Sequence, residues 1–233
     1  MILKNELKDA DTKALIFDID GTLTRWTSVP DLLGATLAHF NVPYTDDVMK
    51  DFFKAVNYYE AHLLISSRAS VDEYASILGM TMEVLKKHGI SGRDFKDWMF
   101  FEEAFYTTSE EGIQEELQAL QKDYLLCCYT NWFKYQAIKK LERHGINDFF
   151  DHFYSFENMY IKFSSVGFKS ILLELGLEPS NVIHIGDSDS DLVCRCAGIP
   201  CVLIDYDQNK ERLYDSADAI VTEFRDISRL LKR

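Results

Sequence analysis

Three short stretches carry residue types and spacings that could do chemistry. Asp18-Ile19-Asp20-Gly21-Thr22 follows the apolar run Ala14-Leu15-Ile16-Phe17. Thr130-Asn131 follows Tyr124-Leu125-Leu126-Cys127-Cys128-Tyr129, and Gly186-Asp187-Ser188-Asp189-Ser190-Asp191 follows Asn181-Val182-Ile183-His184-Ile185. Carboxylates at the end of a buried run are costly unless a cation, donors or water compensate them. Strand alternation puts Asp18 and Asp20 on one face, about 7 Å apart at roughly 3.3 Å per residue, close enough to address one cation. Gly21 lets the backbone turn tightly and bring its amide near a ligand. Oxygen ligands without histidine or thiol favour a hard ion, Mg²⁺ before zinc. Mg²⁺ keeps waters and commonly works with phosphate oxygens, which a hydroxyl, an amide and a lysine would hold. Such a set points to phosphoryl transfer, where positioning and charge neutralisation dominate. Taken singly, each stretch also reads as a solvated strand-end turn.

The elements that must position these residues alternate. Apolar runs bounded by turn residues predict strands near 14–17, 124–129, 152–156, 181–185, 201–204 and 219–221. Between them lie amphipathic helices, with Ile113, Leu117 and Leu120 on one stripe and Phe168, Ile171, Leu172 and Leu175 on another. Ser109 is the expected N-cap of the first, with Glu110 and Glu111 in its first turn. This alternation implies an α/β fold, a Rossmann-like parallel sheet with helices on both faces. The run at 14–17 should be central, with the next two strands on one side and the following two on the other. Ligands in such sheets bind beyond the carboxyl ends of the strands, where all three polar stretches fall.

Residues 30–106 show helical periodicity with no convincing strand, on faces such as Leu33, Leu37 and Phe40, then Val48, Phe52, Phe53 and Val56, then Tyr74, Ile77, Leu78, Met82 and Leu85. This block predicts a helical domain at 25–107 inserted after the first strand of a core made of 1–24 and 108–233. A net charge of −13 argues against a nucleic-acid surface. No apolar run is long enough to span a membrane, and the first residues lack a signal-peptide core, so the expected location is cytoplasmic. Five cysteines in an unpaired pattern predict reduced, mostly buried thiols. Cys194, Cys196 and Cys201 lack a fourth zinc ligand at sensible spacing.

In motif order and spacing the chain resembles the haloacid dehalogenase-like (HAD) superfamily of phosphohydrolases. Asp18-Ile19-Asp20-Gly21-Thr22 is similar to its first motif, Thr130-Asn131 to its second and Gly186 to Asp191 to its fourth, while the helical block resembles a C1-type cap. The resemblance implies that Asp18 is a nucleophile forming an aspartyl-phosphate and Asp20 the general acid and then base. It implies that Asp187, the Asp18 side chain and the Asp20 backbone carbonyl hold Mg²⁺. Thr130 and Asn131 would bind phosphoryl oxygens, and Asp191 would support the lysine or a metal water. Asp189 reads as a solvent-facing or supporting acid.

The third motif, a lysine, is expected about 25 positions before Asp187. Lys162 meets that spacing, although Phe163 stands where the family often has proline; Lys169 is the competitor. The implied reaction is hydrolysis of a small soluble phosphomonoester, with phosphomutase as the alternative and a phospho-accepting signalling module as the non-enzymatic one. Asp20 argues against dehalogenation, because a departing halide needs no proton. Arg25, His62 and Arg68 are the polar candidates for substrate selection, each more simply a surface or core group. Nothing in the chain bears on its oligomeric state.

Overall fold

The computed structural model describes residues 2–3, 11–27, 34–35, 37–48, 50–51, 86, 88–89, 103–158 and 162–231. Two compact units divide the chain, one of Met1–Arg25 with Thr108–Arg233 and one of Trp26–Thr107. The division falls within a short two-stranded ribbon, β3 (Arg25–Trp26) with β4 (Thr107–Thr108).

The first unit holds a seven-stranded sheet of β1 (Ile2–Leu3), β2 (Ala14–Phe17), β5 (Leu125–Thr130), β6 (His152–Ser155), β7 (Val182–Gly186), β8 (Cys201–Ile204) and β9 (Ala219–Val221), in the order β1-β9-β8-β7-β2-β5-β6. All neighbours pair in parallel except β1, which runs antiparallel to β9 at the edge. β2 is central as expected, and the crossovers leave it in opposite directions towards β5 and β7. The β1 edge strand was not expected, since two residues carry no readable alternation.

The sheet is buried on both faces, which is why its strands are continuously apolar. Leu15, Phe17, Leu126, Cys128, Ile183 and Ile185 share one core with α1 (Ile113–Leu120), α2 (Lys134–Arg143) and α6 (Asp226–Leu231). The residues alternating with them, Ala14, Ile16, Cys127, Tyr129 and Val182, face the other way, onto Phe168, Ile171 and Leu172 of α3 (Ser165–Leu175). Two further single-turn helices, α4 (Asp189–Leu192) and α5 (Glu211–Tyr214), follow β7 and β8.

The α1 stripe of Ile113, Leu117 and Leu120 is buried as expected, but its start is a correction. Gly112 sits in the left-handed region at φ +79, which interrupts helical backbone, so Ser109 is not the cap. All five cysteines are free and only Cys196 is exposed; burial pushes the Cys127 thiol up to about 12, so it stays protonated at neutral pH.

In the second unit Leu37 and Val48 are buried in helical turns, and Gly89 takes a left-handed φ of +79. The periodicity read at Leu33, Phe52, Phe53, Val56, Tyr74, Ile77, Leu78, Met82 and Leu85 lies outside the described residues, as do His62 and Arg68. Among the described residues no helix is long and apolar enough to cross a membrane.

Phe168 is fully buried, edge-on to Tyr129 at 5.1 Å and to His184 at 4.9 Å between ring centroids. Phe168→Ala should therefore cost about 3–5 kcal/mol of stability. Thermal unfolding should show a midpoint lower by roughly 10 °C at this chain length.

Candidate active site

The sheet register sets three polar stretches at one level. Phe17 opposes Cys128 on one side and Ile185 on the other, so Asp18, Thr130 and Asp187 all emerge within two residues of that rung. The Asp18 amide donates to the Ile185 carbonyl at 2.9 Å, extending the ladder by one bond. Carboxylate oxygens of Asp18, Asp187 and Asp191 converge within 4.8 Å of one another. Two glycines permit this crowding. A Cβ on Gly21, whose φ is +87, would collide with the Asp187 carboxylate, and one on Gly186 would collide with that of Asp191.

Lys162 neutralises the cluster from within. Its side chain is 1% exposed, and its Nζ forms ion pairs with Asp18 Oδ1 and, at 2.8 Å, with Asp191 Oδ1. Its backbone N–H donates to Asn131 Oδ1 at 2.7 Å, which ties the loop after β6 to the end of β5. Thr130 Oγ1 accepts from the Trp132 amide at 3.0 Å and is itself buried. Lys169, the competing lysine, is exposed on α3.

Asp191 is fully buried and heavily donated to. Oδ2 accepts from the amides of Asp187 (3.1 Å) and Ser188 (3.0 Å) and from Ser188 Oγ (2.7 Å), while Oδ1 also meets His184 Nε2 at 2.9 Å. Burial disfavours its charge, but Lys162 and His184 outweigh burial and hold the carboxyl far below the usual range. Burial lowers His184, so its ring is neutral and its Nε2–H donates to Asp191. Asp18 is the opposite case. Burial raises its carboxyl well above the usual range, with Asp191 and Asp187 adding to the rise and Lys162 countering. Burial and Asp191 raise Asp187 as well, against Lys210, whose Nζ lies 2.6 Å from its Oδ2. Burial pulls the Lys162 ammonium down, but Asp18 and Asp191 more than restore it.

Asp20 stands apart. Its side chain is absent from the three-acid cluster and instead pairs with Lys140 Nζ at 2.6 Å. Asp189 is exposed and forms a two-pronged pair with Arg212 at 3.1 and 2.7 Å, away from the cluster. Arg25 is engaged by Glu110 at 2.9 Å and Asp207 at 2.5 Å and lies over the Tyr206 ring.

Three residues of this site escaped the sequence reading. His184 had a signal, a polar residue inside an otherwise apolar strand. Lys140 had one too, since it falls on the buried row of α2 beside Leu141. Lys210 had none; its place depends on a loop whose amides at Asn209 (3.2 Å) and Lys210 (2.8 Å) donate to Asp205 at the end of β8.

The donor set fits a hard divalent ion, with acid oxygens close together and no nitrogen or sulfur ligand among them. A family profile described as a haloacid dehalogenase-like hydrolase matches residues 12–193. No curated protein matches the chain closely enough to serve as a relative. Among solved structures it is similar to a protein assigned as the HAD-hydrolase YfnB of Bacillus subtilis, bound to magnesium (17% identity, TM-score 0.76, covering 96% of this chain and 100% of that one). It is also similar to one assigned as a beta-phosphoglucomutase from Thermotoga maritima (22%, TM-score 0.68, 95% and 99%). A third, assigned as a phosphoglycolate phosphatase from Haemophilus somnus, gives 22% identity and a TM-score of 0.66 over 94% and 97%.

The opposed shifts of Asp18 and Asp191 predict opposite effects on stability. A carboxyl raised in the folded state costs stability once ionised, so Asp18→Asn should leave the thermal midpoint at pH 7 unchanged or higher. A depressed one contributes stability above its unfolded value that is lost as pH falls, so Asp191→Asn should lose about 3–5 kcal/mol at pH 7. That deficit should shrink below about pH 4, where the unfolded parent also binds the proton. Thermal melts of both variants across pH check the pair; equal losses at pH 7 would contradict it.

Proposed function

Since the chain belongs to the haloacid dehalogenase-like hydrolases, we propose that it is a Mg²⁺-dependent phosphatase acting on a small soluble phosphomonoester. The observation that carries this reading is Lys162, sealed between Asp18 and Asp191 with Asp187 alongside. Packing alone does not call for a buried ammonium among three acids. A site that must collect negative phosphoryl oxygens beside a carboxylate nucleophile does.

In this reading Asp18, Asp187 and the Asp20 backbone carbonyl hold the ion, with Asp191 supporting Lys162. Mg²⁺, when bound, offsets the acids and the phosphoryl charge. An Asp18 oxygen attacks phosphorus, forming an Asp18–O–P bond as the bond from phosphorus to the ester oxygen breaks. Asp20 gives its proton to that departing oxygen. Asp20 then takes a proton from water, whose oxygen attacks phosphorus and releases phosphate and Asp18. Thr130, Asn131 and Lys162 bind the phosphoryl oxygens throughout.

Residues 25–107 serve as a helical cap that selects the substrate. The net charge of −13 supports a small-molecule partner over nucleic acid, and five free cysteines support a cytoplasmic setting.

Purified protein with Mg²⁺ should release inorganic phosphate from p-nitrophenyl phosphate. Chelation or Asp18→Asn should lower turnover at least about 10³-fold, the scale lost with a nucleophile. Phosphate release that survives Asp18→Asn would overturn the mechanism. Stable labelling of Asp18 without release would favour a phospho-accepting module, and isomerised product without release a phosphomutase.

A further inference from the structure

Lys140 lies in the last turn of α2 and is 1% exposed at its side chain, while its partner Asp20 is 32% exposed. The neighbours on that row, Ala137 and Leu141, belong to the apolar core. An apolar residue would suit that row, whereas a buried ammonium is costly unless paired. Its Nζ meets Asp20 Oδ1 at 2.6 Å and lies 6.0 Å from the centre of the Trp132 ring. Gln136, one turn earlier on the same helix, is buried too, so the polar row is two residues long. The sealed lysine thus faces an acid that stays open on its other side. Asp18, two residues before, is claimed by a different buried lysine, Lys162.

We infer that Lys140 is a positioning residue that fixes Asp20 for proton transfer to and from the substrate; the inference rests on the hydrolase reading above. The ion pair through Oδ1 confines the Asp20 carboxyl to few rotamers and commits Oδ2 to the departing oxygen. In the first step the Oδ2 proton moves to that oxygen as its bond to phosphorus breaks. In the second, Oδ2 takes a proton from the attacking water. Orientation of this kind is a large share of what an enzyme supplies, and a misplaced acid loses most of its effect. The effect should grow with the basicity of the leaving group, because a poor leaving group needs the proton most.

The test uses the full chain with Mg²⁺ and compares Lys140→Met and Lys140→Arg with the parent. First-turnover release is measured from p-nitrophenyl phosphate, a good leaving group, and from phenyl phosphate, a poorer one. Lys140→Met should slow phenol release about 30-fold or more and nitrophenolate release less than about 3-fold, mainly in rate and little in KM. Lys140→Arg, which keeps the charge, should recover phenol release to within about 5-fold of the parent. In an Asp20→Asn background the methionine change should cost less than about 2-fold further, since the group it positions is already gone. Equal slowing of both esters, or no slowing, would overturn the inference, as would full additivity with Asp20→Asn in both rate and thermal midpoint. Parent turnover that does not depend on Asp18 would instead sink the hydrolase reading itself.

Discussion

Like charges held close together in a poorly solvated place set the terms for the whole first unit. Oxygens of Asp18, Asp187 and Asp191 lie within 4.8 Å of one another. At about 4 Å and an effective dielectric near 20, each like pair costs about 4 kcal/mol. Three such pairs rival the whole net stability of a typical domain. Lys162 and Lys210 set two positive charges against three negative ones, which makes the arrangement tolerable and leaves it short of cation. A divalent ion is the natural complement to that deficit, and the oxygen-only donors say it should be a hard one.

Everything else about the fold can be understood as holding that cluster open for use. The apolar strands are buried on both faces, so a one-residue slip would exchange the residues packed into the two cores, Phe17 for Ile16 for example, and misfit both. The rung through Cys128, Phe17 and Ile185 therefore fixes where three chain segments end. Glycines at 21 and 186 then let carboxylates approach backbone more closely than any side chain would permit. Asp191 shows how the strain is contained. It spends its charge on donors from its own loop and on His184 and Lys162, and so acts as an anchor for the lysine.

The parallel sheet, its strand order and the central place of Ala14–Phe17 were legible because buried parallel strands leave an unmistakable mark of continuous apolar runs between amphipathic helices. Asp18 and Asp187 were legible for the same reason, since acids directly after such runs stand out, whereas Asp191 was set apart from Asp189 by the family resemblance alone. Lys162 was legible through its place after the β6 run and through the spacing from Asp187 that the family resemblance implies. The start of α1 was misread because Ser109 has good cap chemistry, while the left-handed turn at Gly112 overrides it three residues on. Lys140 and His184 were visible only as polar residues on buried rows, a signal easily taken for imperfect patterning. Lys210 could not be read at all. A surface-type lysine on a loop acquires its partner through the β8 turn anchored by Asp205, and that contact is 23 residues distant in the chain.

The two acids of Asp18-Ile19-Asp20 carry the argument one step further. They are two residues apart and identical in chemistry, yet the fold divides their circumstances completely. Asp18 is sealed, raised by burial and by its acidic neighbours, and met by a lysine arriving on a loop. Asp20 is partly open and met by a lysine carried on the last turn of a helix. When two carboxyl groups in one site are given different environments, they are suited to different tasks. A nucleophile benefits from being desolvated and held against a counter-charge, while a proton carrier must reach both the leaving oxygen and incoming water. In the proposed mechanism the helix-borne lysine serves the acid whose position, rather than whose charge, decides the outcome.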